Sequence, residues 1–317
     1  MKSDNICVTV LMSVYNDSKY LNNSVRSILN QSYKDFEFLI IDDGSTDNAE
    51  EIISGFNDSR IRYKRIEHSG LAAALNFGIA NSNYKWIARI DADDVNTSNR
   101  LQTQINFINE NPDYDVVAGW SVYFKYPEEI LFLLKTPVDN QEINKFLNLH
   151  NPINHSSVIF NKEVIKSNGG YNENFKCFED FELWFRLKDK LKFKILPEYL
   201  VYTAVRANSM SQNERKENLY QILIGNAVHN YESATDKSSH IYWNNILFWI
   251  EYFYGSKSKA RQYLSKDVSF KKTLAFLNTF LPDKSFKNLI ELRLRYRIES
   301  KFRNKKMFAK ELKSLLK

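Results

Sequence analysis

Within its first hundred residues the chain alternates short, continuously apolar runs with amphipathic segments, and few folds accommodate that order. Val8–Val14 (VTVLMSV) is apolar at strand length. Leu21, Val25, Ile28 and Leu29 then recur at helical spacing, with Asp17 or Ser18 as the cap. Phe36–Ile41 (FEFLII) reads as a second strand and ends on Asp42, Asp43 and Gly44. A helix is predicted from Asp47, with Glu50 three residues on at capping-box spacing. Ile61–Ile66 reads as a third strand, the Ala-rich stretch from Gly70 to Asn81 as a helix, and Tyr84–Ile90 (YKWIARI) as a fourth strand that stops on Asp91. Strands that are apolar on both faces and alternate with helices require a parallel sheet covered on both sides. Right-handed crossovers gather the carboxyl ends of such strands at one edge, where ligands of these sheets bind.

That edge collects Tyr15-Asn16-Asp17, Asp42-Asp43-Gly44-Ser45, His68-Ser69-Gly70 and Asp91-Ala92-Asp93-Asp94. Three carboxylates within four positions close a strand that should be buried, which is costly unless each is paired or shares a cation. A lone D-x-D is commonly a solvated loop, with Asp94 or Ser98 capping the next helix. Here it ends where other acids converge, which suits a hard divalent cation, Mg²⁺ or Mn²⁺, shared with substrate phosphates. In IDDGSTD, Gly44 permits the turn and Asp47 caps a helix. Asp42 and Asp43 are left, and either can accept a hydrogen bond from a base or a ribose. Gly70 either allows close packing or faces an anion at a helix N-terminus. Glu179, Asp180 and Glu182 in FEDFELW suit the dipole of a helix that starts near Asp180. His155 alone reads as a structural histidine, and Arg206 alone as a solvated base. No Walker P-loop and no G-x-G-x-x-G is present.

Further along, strands are predicted around Val116–Ala118, at Ser157–Phe160, and in KFKIL and LVYTAV; the pattern is mostly helical from Asn218. No stretch reaches the ~20 apolar residues that span a bilayer; the nearest, ILFWIEYFY, holds Glu251. ICVTVLMSV is too short and too weakly flanked for a signal peptide and reads as a strand. Cys7 and Cys177 lie far apart, as in a reduced, cytoplasmic setting. The net charge of +6 is concentrated in Lys301–Lys317, with seven basic residues and one acid. That tail suits peripheral attachment to an anionic inner leaflet, at ~1 kcal/mol per basic residue near the surface. The aromatic residues Trp243, Phe248, Trp249 and Phe253 are expected to pack on the core. No nucleic-acid partner is expected.

VTVLMSVYND, SILNQSYKDFEFLIIDDGSTD, GLAAALNFGIA and WIARIDADD, in that order, with NHSSVIF, GGYNENF and EDFELWFRL after them, resemble the family 2 glycosyltransferases over Val8–Ser211. The resemblance implies the A-type nucleotide-sugar fold (GT-A), an α/β architecture with a Rossmann-like, mostly parallel sheet flanked by helices. It implies a catalytic domain over 1–212, with a nucleotide-sugar half to about 120 and an acceptor half from 121, and a helical region over 213–317. Ser13, Val14 and Tyr15 would line the base pocket, with Asp43 on the base and Gly70 and Ala92 on the donor side. Asp93 would ligate Mn²⁺ or Mg²⁺, and Asp91 would touch the ribose or the metal shell. Asp180 would be the catalytic base, with His155, Glu179 and Trp184 on the acceptor side. On a regular helix Trp184 lies beside Asp180 as a wall or sugar platform, Glu179 shares a face with Glu182, and Arg186 lies well around. Arg206 stands where many members carry a histidine; it cannot ligate a metal but can clamp phosphate.

The implied reaction is inverting, metal-dependent transfer from a nucleotide-sugar, with uridine as the leading base, to a glycan or lipid-linked glycan in bacterial surface polysaccharide synthesis. Two other classes fit parts of the sequence. IDADDV matches the D-x-D-x-[TV] of haloacid-dehalogenase-like phosphatases, but their strand comes first in the chain and this one comes fourth. A non-catalytic sugar-nucleotide or glycan binder would not need the intact set of Asp91, Asp93 and Asp180.

Overall fold

The computed structural model describes residues 6–206, 216–263, 279 and 305–316. In chain order the first half runs β1 (Val8–Val14), α1 (Ser18–Leu29), β2 (Phe36–Asp42), α2 (Ala49–Ser54), β3 (Ile61–Arg65), α3 (Leu71–Asn81), β4 (Trp86–Asp91), β5 (Val95–Asn96) and α4 (Arg100–Glu110). The second half continues with β6 (Val116–Lys125), β7 (Glu129–Leu134), α5 (Asn140–Leu147), β8 (Ile159–Asn161), α6 (Lys162–Ser167), α7 (Glu179–Leu187) and β9 (Phe193–Ala204). Helices Lys216–Glu232, Lys237–Phe253, Lys257–Gln262 and Lys305–Leu315 follow.

The order β3-β2-β1-β4 is parallel throughout. β1 pairs with β2 from Val8↔Phe36 to Val14↔Asp42 and with β4 from Val8↔Trp86 to Ser13↔Asp91, so the acidic strand ends lie flush at one edge. Both faces are buried, which explains the unbroken apolar runs. Val10, Met12, Phe38, Ile40, Ala88 and Ile90 pack under α1 and α4. Leu11, Leu39, Ile41 and Ile87 pack under α3. Gly78 lets α3 approach β1, because a Cβ there would lie 2.3 Å from Leu11 Cδ1.

Beyond β4 the sheet continues β8-β6-β9-β5, with β7 beside β6, and only the β6–β9 ladder there is parallel. The expected strand at Ser157–Phe160 begins only at Ile159, because His155–Ser157 forms a 3₁₀ turn capped by Asn154. KFKIL and LVYTAV form one strand, β9, whose register against β6 shifts near Gly119 and Trp120, opposite the Pro197 region.

Two caps differ from expectation. The Asp17 side chain makes no cap bond to α1, although its carbonyl accepts the Tyr20 and Leu21 N–H groups; the Asp47 carboxylate accepts the Ser18 N–H at 2.9 Å instead. α2 opens at Ala49 without a capping box, and Glu50 pairs with Arg65 at 3.3 Å. Leu219, Leu223, Ala227, Leu247 and Ile250 join the same core as Trp184 and Leu187. The Lys305–Leu315 helix buries Phe308 and Leu312 against Val95, Val122, Phe124 and Tyr202. Residues 207–211 of the VRANSMS stretch, and Lys301, Arg303 and Lys317 of the basic tail, lie outside the described residues.

Candidate active site

Arginine answers the charge at the end of β4. Arg89 and Asp91 are two apart on the strand and share a face. The Arg89 guanidinium, buried inside an otherwise apolar run, forks onto both Asp91 oxygens. Ser156 Oγ donates to Asp91 Oδ2 at 2.9 Å and accepts the Asp91 N–H at 2.8 Å. Arg206, just past β9, pairs with Asp93 (Nε–Oδ2 2.7 Å) and hydrogen-bonds both Asp17 oxygens. Asp94 is buried, with Oδ1 accepting the Ala204 N–H at 2.8 Å and Oδ2 without a partner among the described residues. Burial, then Asp93 and Asp91, push the Asp94 carboxyl well above the usual range. Burial and Asp91 push Asp93 up to about 7, with Arg206 pulling the other way.

The start of α7 supplies the facing acids. Phe178 enters the helix at φ 63, a left-handed conformation that non-glycine residues seldom adopt. Asp180 is half-buried; Oδ2 accepts from Asn151 Nδ2 at 2.8 Å and Oδ1 from the Phe181 N–H at 2.7 Å. Burial pushes it up to about 6; Asp91 adds to the rise, while the Phe181 bond and Arg89 oppose it. Glu179 is buried and pushed up to about 8 by burial and by Asp180. It lies 3.8 Å from His155 Nδ1, whose ring is bonded through Nε2 to the Tyr171 hydroxyl at 2.7 Å. Burial and Arg89 hold His155 neutral.

Several sequence expectations need correction. Trp184 is fully buried, edge-on to His155, Phe160 and Phe193, so it is core and not a sugar platform. The reason is depth: Asp180 sits at the helix tip, while one turn later the same face is already inside the domain. His155, buried and bonded to Tyr171, takes the structural role rather than presenting itself to an acceptor. Glu179 and Glu182 have different partners: Glu179 lies near His155, while Glu182 pairs with Arg186 at 2.7 Å, and Arg186 also binds the carbonyls of Asn168 and Gly170.

On the donor side, Ser13 lies half-buried between Ile41 and Asp91. The Val14 side chain belongs to the core, and its carbonyl accepts the Asp43 N–H at 2.9 Å. Tyr15 is exposed, and its ring stacks on His68 at 4.0 Å between centroids. The buried Asp43 carboxylate accepts the N–H groups of Ser69 at 2.8 Å and Gly70 at 2.9 Å. Those donors are therefore not free for a phosphate, and a negative charge already sits at the α3 N-terminus. Asp42 is spent on the Ser45 N–H at 2.7 Å and the Tyr63 hydroxyl at 2.6 Å. Ala92 is buried and contributes its carbonyl to Ser24 Oγ at 2.7 Å.

Sequence reasoning gave no role to Arg89, Ser156, Asn151 or Tyr171, and His68 entered only as a strand-end residue. Arg89 alone had a clear signal, a charge inside an apolar strand two residues before Asp91.

Among the described residues no three His, Cys, Asp or Glu side chains converge into a ready metal cage. The available donors are carboxylate oxygens, the ligand type of Mg²⁺ and Mn²⁺, and one or two of them suffice when substrate phosphates complete the shell. Asp93 and Asp91 fit a shared site of that kind.

The curled mixed sheet, with acidic strand ends facing carboxylates on a second-half helix, is that of a GT-A glycosyltransferase. The chain belongs to glycosyl transferase family 2, whose family model matches residues 9–169. It is 30% identical over 251 residues to the O-antigen biosynthesis glycosyltransferase WbnJ of Escherichia coli, covering 78% of this chain and 88% of that protein. It is 31% identical over 194 residues to an Escherichia coli UDP-Gal:alpha-D-GlcNAc-diphosphoundecaprenol beta-1,3-galactosyltransferase, covering 59% and 69%. Among solved structures, S. aureus TarS 1-349 in complex with UDP-GlcNAc superposes with a TM-score of 0.61 at 18% identity, covering 98% of this chain and 90% of that one. Family membership sets aside the phosphatase and non-catalytic readings.

Proposed function

We propose that this glycosyltransferase inverts configuration, moving a sugar from a nucleotide-sugar, with UDP-sugars first in line, to a glycan or lipid-linked glycan in surface polysaccharide synthesis. The observation that carries the mechanism is the half-buried Asp180 carboxylate, held by Asn151 and the Phe181 N–H and close enough to the Asp91 charge to feel it. In this reading residues 1–212 form the catalytic unit, residues 213–317 a helical region, and the protein works at the cytoplasmic face of the membrane.

The acceptor hydroxyl attacks the anomeric carbon from the face opposite the leaving group. Its oxygen forms the new bond, the bond to the diphosphate oxygen breaks, and Asp180 takes the hydroxyl proton. Asn151 aims the carboxylate, and a pKa near 6 leaves it mostly ionised at neutral pH. Asp93, with Asp91 beside it, would hold a divalent cation, Mn²⁺ or Mg²⁺, which when bound supplies Lewis-acid stabilisation of the departing diphosphate. Two relatives support the substrate class by name: one is described as acting in O-antigen biosynthesis, the other on a diphosphoundecaprenol-linked sugar. The fold neighbour was solved with UDP-GlcNAc.

The test is a panel of nucleotide-sugars assayed for release of nucleoside diphosphate, with and without Mn²⁺ or Mg²⁺. One donor should stand out, and chelation should silence it. Undiminished turnover after EDTA would remove the cation from the mechanism.

A further inference from the structure

The two arginines at the acidic edge are not equivalent. Arg89 is buried within β4 and its guanidinium fork grips Asp91. Arg206 sits two residues beyond β9, its side chain 31% exposed. Its terminal nitrogens hydrogen-bond Asp17, at the entry to α1. Its Nε comes within 2.7 Å of Asp93 Oδ2 without forming an aligned hydrogen bond. The Asp93 contact is therefore mainly Coulombic and more easily given up than the bonds to Asp17. The guanidinium lies over the Tyr20 ring at 5.2 Å; Tyr20 packs on Tyr126, whose hydroxyl donates to the Asp93 carbonyl at 2.9 Å. Burial opposes the Arg206 charge, but the Asp17 bonds and Asp93 outweigh it and keep the guanidinium charged.

Without a ligand, Arg206 is the cation of this carboxylate pair. A divalent cation on Asp93 would meet that fixed positive charge at contact distance, so both cannot share Asp93 unchanged.

We propose that Arg206 is an exchangeable counter-ion: it covers Asp93 in the free protein, yields it when the donor's diphosphate arrives with its cation, and turns its guanidinium onto the diphosphate oxygens. This rests on the reading that Asp93 faces a cation-bound diphosphate. The edge freed from Asp93, Nε–H with the second proton of a terminal nitrogen, suits two phosphate oxygens, while the opposite edge of the planar guanidinium keeps its bonds to Asp17. The exchange keeps the site near neutral in both states and makes cation binding depend on the nucleotide. Wild-type protein should hold the cation weakly alone and well with a nucleoside diphosphate.

Arg206→Met separates the two halves of this exchange. Mn²⁺ binding to the full-length protein is read from the free-ion spin-resonance signal, without nucleotide. The tightest of UDP, GDP and dTDP is then titrated calorimetrically at saturating Mn²⁺. Arg206→Met should bind Mn²⁺ alone about tenfold more tightly than wild type and the nucleotide about tenfold more weakly, the scale of one charge-assisted hydrogen bond. Arg206→Lys keeps the charge and loses the fork, so its affinity for Mn²⁺ alone should stay near wild type while nucleotide affinity falls; it also guards against misfolding of the methionine variant. Unchanged or weaker Mn²⁺ binding by folded Arg206→Met overturns the exchange even if wild type binds nucleotide well. Failure of wild type to bind any of the three nucleotides with Mn²⁺ overturns the donor reading and this inference together.

Discussion

Asp180→Asn is the substitution that tests the mechanism most directly. It preserves volume and removes basicity. The Oδ1 bond to the Phe181 N–H survives if the new amide oxygen keeps that position. The new NH₂ group then faces Asn151 Nδ2, which is itself a donor. Asn151 cannot simply flip, because its Oδ1 accepts the Ile153 N–H at 3.0 Å. One hydrogen bond is therefore lost, about 0.5–1.5 kcal/mol. Removing a half-buried negative charge beside Glu179 works in the opposite direction, so net stability should change little. Catalysis should not be spared: loss of a general base costs ~10²–10⁴-fold, or ~2.7–5.5 kcal/mol of barrier. The assay is nucleoside diphosphate release from the best donor, with water as acceptor when no glycan is identified, alongside nucleotide binding by calorimetry. Binding should persist while release falls at least ~10²-fold. In wild type, kcat/KM should rise with pH on an acid limb near the Asp180 pKa of about 6 and lose that limb in Asp180→Asn. If Asp180→Asn turns over normally and Glu179→Gln does not, the base is Glu179.

Other consequences reach beyond the base. Trp184→Ala should destabilise the fold by about 3–5 kcal/mol in urea titration, because the ring is fully buried among core aromatics; a near-neutral change would restore it as a surface platform. Glu179 binds its proton up to about pH 8 when folded but releases it near ~4.3 when unfolded, so the native state holds more protons between those values and stability should fall as pH rises from 6 to 8. Glu179→Gln should reduce that slope in ligand-free thermal melts, leaving the part due to Asp93, and an undiminished slope would exclude Glu179 as a source. Phe308 and Leu312 face the domain while Lys310 and Lys313 are exposed, so full-length protein should bind anionic vesicles through charge alone and release as salt rises; no binding at low salt ends the membrane idea.

The parallel half of the sheet was legible because burial on both faces writes itself into sequence as unbroken apolar runs, and topology then fixes where their ends meet. Caps were less legible. Asp47 has the right spacing for its own helix, yet it also closes α1 from 29 positions away, a contact with no local signature. The β9 strand was split in two because Pro197-Glu198 interrupts its pattern, and only the bulged register against β6 shows how the sheet absorbs the break. At the site, helical periodicity separated Asp180 from Glu182 and Arg186 correctly. It misplaced Trp184 because angle around a helix says nothing about depth along it.

The same contrast between fixed and movable partners assigns unequal roles to the two acids of the D-x-D. Asp91 is held by three side-chain donors, two from Arg89 and one from Ser156, and none of them can leave without unpacking β4 or the His155–Ser157 turn. Its carboxylate is thus a fixed charge, and it helps to raise the pKa of Asp180. Among the described residues the Asp93 carboxylate is paired with Arg206 alone, so it is the carboxylate better able to change partners. Asp93→Ala should therefore abolish turnover and weaken nucleotide binding in Mn²⁺ while leaving the melting temperature near that of wild type. Asp91→Ala should lower the melting temperature as well, because it removes both charge-assisted bonds of a buried guanidinium; with the Asp91 side chain 38% exposed, water can reach part of the vacated site and the loss should stay below the about 3–5 kcal/mol of a fully buried pair. Should Asp91→Ala prove as stable as Asp93→Ala, the fork from Arg89 would not be the fixed element on which this division of roles depends.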